Sequence, residues 1–365
     1  MSTTVRETVY YTRELVRRLR HYAAKRRYGY RDRGTLEDAA ETILERRLEG
    51  GLEAGSHFQG VWPRDLCFSA PGLSALGGNT RLRETAEWVL ESVSTTSTFF
   101  TDLHATYAAA TPAEGVDTFP ALVIVLAEAG GLADNAERVA ALAALHRETF
   151  FDPETGLVTG AGSSWWDSAA APRETYNTAM LLAAVDRLEA AGLETAYADH
   201  TDRLRDGLSR LWTGHHFAEH RKSAVLACDA NVVPLYFRLV DDDRARAIAD
   251  SLAALETPVG LKMRARPFSP CEVHPFFLLH RDYHYHVWPW NSLLYAIGLD
   301  RYGLEERARR ERTRVEAVLG EYGNFLEVYT LAGEPYCKRG YASAEDFTVA
   351  AALWVQYRNR GGGGV

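Results

Sequence analysis

Apolar positions recur along this chain with a helical period, and runs that alternate every second residue are nearly absent. Reading caps, glycines and prolines as boundaries predicts a first helix over about 4–27. Further runs are predicted at about 36–49, 65–76, 80–94, 117–130, 134–149, 173–191, 195–213, 229–239, 242–255, 289–302, 304–320 and 343–358. Gly50-Gly51, Gly77-Gly78 and Gly130-Gly131 end three of them, and Asp152-Pro153-Glu154-Thr155-Gly156 turns the chain after another. Beyond the first helix the runs alternate in character. One set is apolar nearly all round, as from Ala179 to Val185 and from Phe347 to Val355. The other is rich in Arg, Glu and Asp, as over 80–94, 195–213 and 304–320. Buried helices alternating with half-exposed ones predict six hairpins closed into a ring, an all-α (α/α)6 barrel; an open helical array is the other arrangement. No short repeat is visible, which counts against a solenoid. No linker divides the chain, so one domain is expected over 1–365, with a helical extension at about 1–35 and a flexible glycine tail at 361–365.

The first helix is the local exception. From Arg13 to Arg33 there are nine Arg or Lys residues against two acidic ones. An anionic partner or a membrane surface would use such a run. The preferred reading is the solvated face of an outer helix whose stripe of Val5, Val9, Leu15, Leu19 and Tyr22 packs inward.

Composition narrows the function. With 46% hydrophobic and 25% charged residues among 365, the chain has the balance of a soluble globular protein. A net charge of −8 argues against nucleic acid as the main partner. Cys67, Cys228, Cys271 and Cys337 have neither zinc nor disulfide spacing. No apolar run approaches membrane-spanning length and no signal segment opens the chain, so a cytoplasmic protein without a membrane partner is expected. No cofactor and no metal are expected, and the oligomeric state is left open.

In a ring of hairpins the inner helices point one set of ends at a common funnel, and four loops are rich enough in chemistry to line it. Gly162-Ser163-Ser164-Trp165-Trp166-Asp167-Ser168 sets two indoles beside a carboxylic acid whose pKa they would raise. Sugar rings stack on indole faces and such an acid cuts glycosidic bonds; the bland alternative is a loop whose tryptophans plug the end of the core. Tyr176 and Asn177 come closely after it. His57 to Asp65 brings Trp62, Arg64 and Asp65 together, a stacking face, a fork donor and a bidentate acceptor, although Asp65 could instead cap a helix. His280 to Asn291 holds His284, His286, Trp288 and Trp290; a metal reading lacks a third ligand, and sugar contacts between aromatic walls are preferred. The fourth loop runs from Asn324 through Glu327 to Tyr329 and on to Tyr336. Glu327 lies in an extended apolar stretch, where a carboxylate either has a task or swings out to solvent.

These four loops, in this order, resemble the six-hairpin glycosidases of the glucoamylase kind. That group includes the amylo-1,6-glucosidase domain of debranching enzymes, the processing-glucosidase and mannosylglycerate-hydrolase family, and trehalases. Trp62-Pro63-Arg64-Asp65 with Pro71-Gly72-Leu73 is similar to their W-x-R-D…PGL stretch, and Trp166-Asp167 with Tyr176-Asn177 to their acid loop. Val287-Trp288-Pro289-Trp290 is similar to V-W-P. Glu327 with Gly333-Glu334-Pro335 and Ala342-Ser343-Ala344-Glu345 is similar to the general-base loop and the helix after it. The likeness covers roughly 55–357. It implies an (α/α)6 barrel and inverting hydrolysis of a small α-linked glycoside, such as an α-glucoside, a disaccharide or a glucosyl- or mannosyl-glycerate. It further implies Asp167 as general acid, Glu327 as general base, and Arg64 and Asp65 as holders of the sugar next to the scissile bond. Several relatives use Glu as the acid, and many carry an N-terminal β-sandwich, which is not expected in these 365 residues.

Two other classes stay open: an epimerase or isomerase on the same barrel, with His284 and His286 as acid and base, and a catalytically silent sugar-binding protein. Asp102, His104, Asp117, Asp229 and Asn231 open or precede inner helices and are either caps or sugar contacts; Glu345 is the reserve base. An inverting pair is expected to give a bell-shaped pH profile. Asp167 would be raised by its indoles and Glu327 would stay near the ordinary glutamate value of about 4.3.

Overall fold

The computed structural model describes residues 3–104, 115–160, 168–273 and 275–361. Among them α1 (Thr3–Tyr28) is followed by twelve helices: α2 (Leu36–Glu49), α3 (Pro63–Ala75), α4 (Asn79–Thr96), α5 (Thr118–Glu128), α6 (Ala136–Phe150), α7 (Glu174–Ala190), α8 (Thr201–Arg210), α9 (Cys228–Tyr236), α10 (Asp242–Leu252), α11 (Pro289–Arg301), α12 (Glu305–Tyr322) and α13 (Thr348–Gly361). The alternation seen in the sequence is radial. Helices α3, α5, α7, α9, α11 and α13 form the inner ring, each packed on the next, with α13 closing against α3. Their burial is nearly complete; every residue of α9 is buried. The outer helices bury one stripe, as α2 does with Ala39, Ala40, Ile43, Leu44 and Arg47. The result is an (α/α)6 barrel. Among the described residues, strands are confined to three hairpins with two-residue strands, at 151–158, 256–261 and 337–342.

Two expected helices begin later than their periodicity suggests. The run at 195–213 is α-helical only from Thr201, because Tyr197 is fully buried and hydrogen-bonds His146, leaving 198–200 as a 3-10 turn. The run at 343–358 starts at Thr348. Before it Asp346 takes a left-handed φ of 56° and is gripped by the Arg33 fork at 2.6 Å.

Ring closure rests on one close approach. A Cβ on Gly72 would lie 2.0 Å from the Ala352 carbonyl oxygen, so α3 and α13 meet backbone to backbone there. Gly72→Ala is therefore expected to lower stability by about 3 kcal/mol, the upper part of the overpacking range. Denaturant unfolding checks this, and an unchanged midpoint would contradict it.

Helix α1 lies on the barrel the opposite way round from the expected one. Leu15, Val16 and Leu19 face solvent at 52%, 39% and 46% exposure, and Val9 is also exposed. Glu14 is buried, and Arg17, Arg18, His21 and Lys25 face the barrel, half-buried. The reason is the surface they meet. Arg17 donates to the Gln59 side-chain oxygen at 2.8 Å and reaches His104, His21 contacts the Ser343 carbonyl, and Lys25 pairs with Glu345. A polar mouth takes the basic face of the helix and leaves its apolar face outside. No helix among the described residues is long and apolar enough to cross a membrane.

Candidate active site

The inner helices run parallel, so their N-terminal ends converge on one side of the barrel, where the helix dipoles favour negative charge. There α3 starts with Trp62 at its cap position and Pro63 next, a proline fixed in helical φ where it needs no donor. Asp65 therefore lies in the first turn rather than at the cap. Its carboxylate is held by the neighbouring guanidinium, Arg64 Nε to Asp65 Oδ1 at 2.7 Å. Burial raises the Asp65 pKa and the Arg64 charge draws it back. The guanidinium itself lies 5.8 Å from the ring centres of both Trp62 and Trp290.

A cavity opens beside this pair. Trp62, Arg64, Asp65, Tyr283, Trp288 and Glu327 line it, with Phe58, Phe277, Tyr341, Phe347 and, from α1, Arg18. Glu327 does not swing out to solvent: only 2% of it is exposed. The Tyr283 hydroxyl donates to one of its oxygens. The Tyr341 hydroxyl (2.6 Å) and the Ala344 backbone amide (3.1 Å) donate to the other. Its position is set by backbone pairing, since Glu327 N donates to the Ala344 carbonyl and Tyr329 bridges to Val287. Burial pushes the Glu327 carboxyl above the ordinary glutamate value, against the lowering effect of the two tyrosines, the amide and Arg18. The expectation that it would stay near that value is corrected: burial outweighs the groups that lower it.

The other sequence candidates divide. Trp62, Arg64, Asp65, Trp288 and Glu327 share the cavity. Trp290 is buried behind it, against Arg64 and Phe68. Trp165, Trp166 and Asp167 lie outside the described residues. The next residue, Ser168, is buried with its hydroxyl bonded to His284 Nδ1, while Ala169 bridges to Val273. His284 is stacked on Trp288 at 5.1 Å, and burial holds its pKa well below the usual value. His284 is not among the residues that line the cavity. His286 is not among the cavity residues and faces Asp282 and Tyr336. Tyr176 and Asn177 are buried within α7 rather than lining the cavity, Tyr176 donating to Asp117 at 2.7 Å. Tyr329 is fully buried beside Tyr322.

Of the reserve candidates, Asp229 is paired with Arg173, and Asn231 spans Phe217 and Ala227 through their backbone groups. Asp102 and His104 are buried along the bridge that joins Val61 to Leu103. Glu345 is held by Lys25 at 2.6 Å and by the Arg31 amide. No group of three or more His, Cys, Asp or Glu suited to a metal ion lies among the described residues.

Sequence reading passed over Tyr283 and Tyr341, the two donors to Glu327, and Arg18. Tyr283 lies inside the aromatic stretch 280–291, where it was one ring among several, and Tyr341 directly precedes the Ala342-Ser343-Ala344-Glu345 segment. Only a contact across 44 and 14 residues distinguishes them from other tyrosines.

No protein-family model and no curated protein matches the chain. Solved structures do. A glycosidase in complex with glucose aligns with a TM-score of 0.67 at 16% identity, over 89% of this chain and 96% of that one. A GH63 mannosylglycerate hydrolase from Thermus thermophilus, in complex with Tris and D-glycerate, aligns with a TM-score of 0.63 at 16% identity, over 88% of this chain and all of that one. A rhamnosidase from Klebsiella oxytoca with rhamnose bound gives 0.66 at 15% identity, over 89% of this chain; the chain spans 63% of that protein's length. The likeness establishes the fold: this chain is built as a six-hairpin barrel of the kind those glycosidases share.

Proposed function

We propose that the protein is an inverting glycoside hydrolase acting on a small α-linked glycoside. The observation that carries the reading is Glu327, a buried carboxylate on the wall of an aromatic cavity that the Arg64–Asp65 pair also lines. Two carboxyl groups are needed, one to protonate the leaving oxygen and one to deprotonate water on the far face of the ring. Glu327 is the base, its orientation fixed by Tyr283 and Tyr341, and Asp167 is the acid. Trp62 and Trp288 give the sugar ring flat apolar faces, while Arg64 and Asp65 bond its hydroxyls. The shared fold of the mannosylglycerate hydrolase, the rhamnosidase and the glucose-binding glycosidase supports this assignment.

The test is a screen of α-linked disaccharides and glucosyl- and mannosyl-glycerates, read by released sugar, with NMR on the first-formed product. Release of the β-anomer from an α-glycoside is the expected result. Retention of the α-anomer would remove the inverting mechanism, and binding without turnover across the screen would leave a silent sugar-binding protein.

A further inference from the structure

The outward face of α1 has no part in the proposed reaction. Seven of the nine large apolar side chains that stand exposed among the described residues lie on this helix or close to it. Val9, Leu15, Val16, Leu19 and Tyr28 are on α1 itself, where Val9, Val16 and Ala23 recur every seven residues and Leu15 and Leu19 flank them. Leu19 reaches the tip of the 337–342 hairpin, 3.3 Å from where a Cβ on Gly340 would stand. Arg339, beside Gly340 in that tip, donates to the Leu279 carbonyl, and Leu278 and Leu279 are both exposed. The apolar surface therefore passes from the helix, across the hairpin tip, to a second segment. An exposed apolar patch built from several side chains marks a surface that something covers.

Charge says what covers it. The whole chain has a net charge of −8, yet α1 carries eight Arg or Lys against two Glu. Arg13, Arg20 and Arg27, again seven residues apart, run exposed along one edge of the apolar stripe. The Arg27 guanidinium lies over the ring of Tyr28 at 5.1 Å. We infer that α1 is a docking surface for an anionic lipid leaflet, lying flat in the headgroup layer with its apolar stripe down and its arginines reaching the phosphates. A stripe packed inward would leave a membrane nothing to hold; here it is outside. A second copy would set one basic helix against another, like charge on like. A partner helix with an acidic flank would be served by α1 alone, whereas a flat leaflet uses Leu278 and Leu279 as well. The other face of the helix stays on the barrel through Arg17, His21 and Lys25, so docking needs no rearrangement.

The experiment mixes the full chain with vesicles of phosphatidylcholine alone, or of equal parts phosphatidylcholine and phosphatidylglycerol, and floats them through a density gradient. Flotation with the anionic vesicles and not with the neutral ones is expected, weakening as salt is raised. Leu15→Gln with Leu19→Gln should lower partitioning about tenfold or more, the scale of two partly buried leucines. Arg20→Gln with Arg27→Gln should lower it about 25-fold, at roughly 1 kcal/mol for each cation near the leaflet. All four side chains are exposed, so both variants should keep the melting temperature of the unmodified protein. Leu76→Gln, at an exposed leucine that follows α3, is the control and should float unchanged. Flotation with neither vesicle, equal flotation with both, or unchanged flotation of either paired variant would overturn the inference. Sedimentation velocity identifies the other occupant. A dimer of the unmodified protein that Leu15→Gln with Leu19→Gln dissolves, without flotation, would give the face to a second copy instead.

Discussion

Glu327→Gln is expected to lower kcat by about 10²- to 10⁴-fold, the contribution of a positioned general base, with the fold retained. The amide keeps the shape: its oxygen can still accept from the Tyr341 hydroxyl and the Ala344 amide, and its NH2 can donate to the Tyr283 hydroxyl. What it loses is the capacity to take a proton from water. The unmodified protein should show the complementary pH effect. A base works ionised, and burial raises the Glu327 pKa, so the acid limb of kcat/KM should lie at higher pH than an ordinary glutamate would set it. Tyr341→Phe supplies the sign. Removing one of the donors that lower this pKa should carry the acid limb to higher pH, whereas a purely structural tyrosine would change rate or stability and leave the limb in place. Near-normal turnover in Glu327→Gln would place the base elsewhere and remove the assignment.

The range of each interaction decides how much of it is legible in the sequence. The inner and outer helices differ along every turn, so local periodicity was enough to place twelve helices and their alternation. The cavity residues that lie next to a helix start, Trp62, Arg64, Asp65 and Trp288, were legible for a similar reason: each is a short-range departure from a plain cap. Tyr176 and Tyr329 looked equivalent to these by proximity to a motif, yet both are buried away from the cavity, because a helix or strand turns successive side chains to different sides. The orientation of α1 was not legible. Its sequence offers one apolar face and one basic face, and the usual rule buries the apolar one. Only the polar mouth it covers, assembled from Gln59, Ser343 and Glu345, reverses the choice. The ion network under the loops was hidden for the same reason, since its members lie tens of residues apart.

That network carries the largest expected effect on stability. Arg173, at the start of α7, donates to Asp229 at 2.8 and 2.9 Å and to Glu219 at 2.9 Å. Arg264 grips the other side of Glu219 at 2.6 and 2.8 Å and reaches out to Glu272. All four inner members are at most 1% exposed. Arg173→Met should cost about 3–5 kcal/mol at pH 7, the usual result of stripping one partner from a buried ion pair. Glu219 keeps Arg264, but Asp229 loses the guanidinium that opposes its burial. The pH dependence separates this from a simple packing loss. In the unmodified protein burial would raise the Glu219 carboxyl, yet its two arginines hold it down at about 2. A depressed carboxylate contributes stability fully above its unfolded value of about 4.3, and that share is lost as pH falls towards 2. At Asp229 the sign is the opposite one: burial already raises its carboxyl, and without Arg173 to draw it back it takes up a proton more readily still in the folded state, so the deficit should shrink as pH is lowered from 7 to 5. Replacing both partners, Arg173→Met with Asp229→Leu, should recover much of the loss, because no buried charge is then left alone. Denaturant unfolding at the two pH values measures all three. A deficit below about 1 kcal/mol, or one independent of pH, would mean that packing rather than this ion network secures the loops behind the cavity. The Ala170 amide, which donates to the Glu272 carbonyl at 2.9 Å, ties the segment just after Asp167, the proposed acid, to the same network. Arg173→Met should therefore lower activity as well as stability.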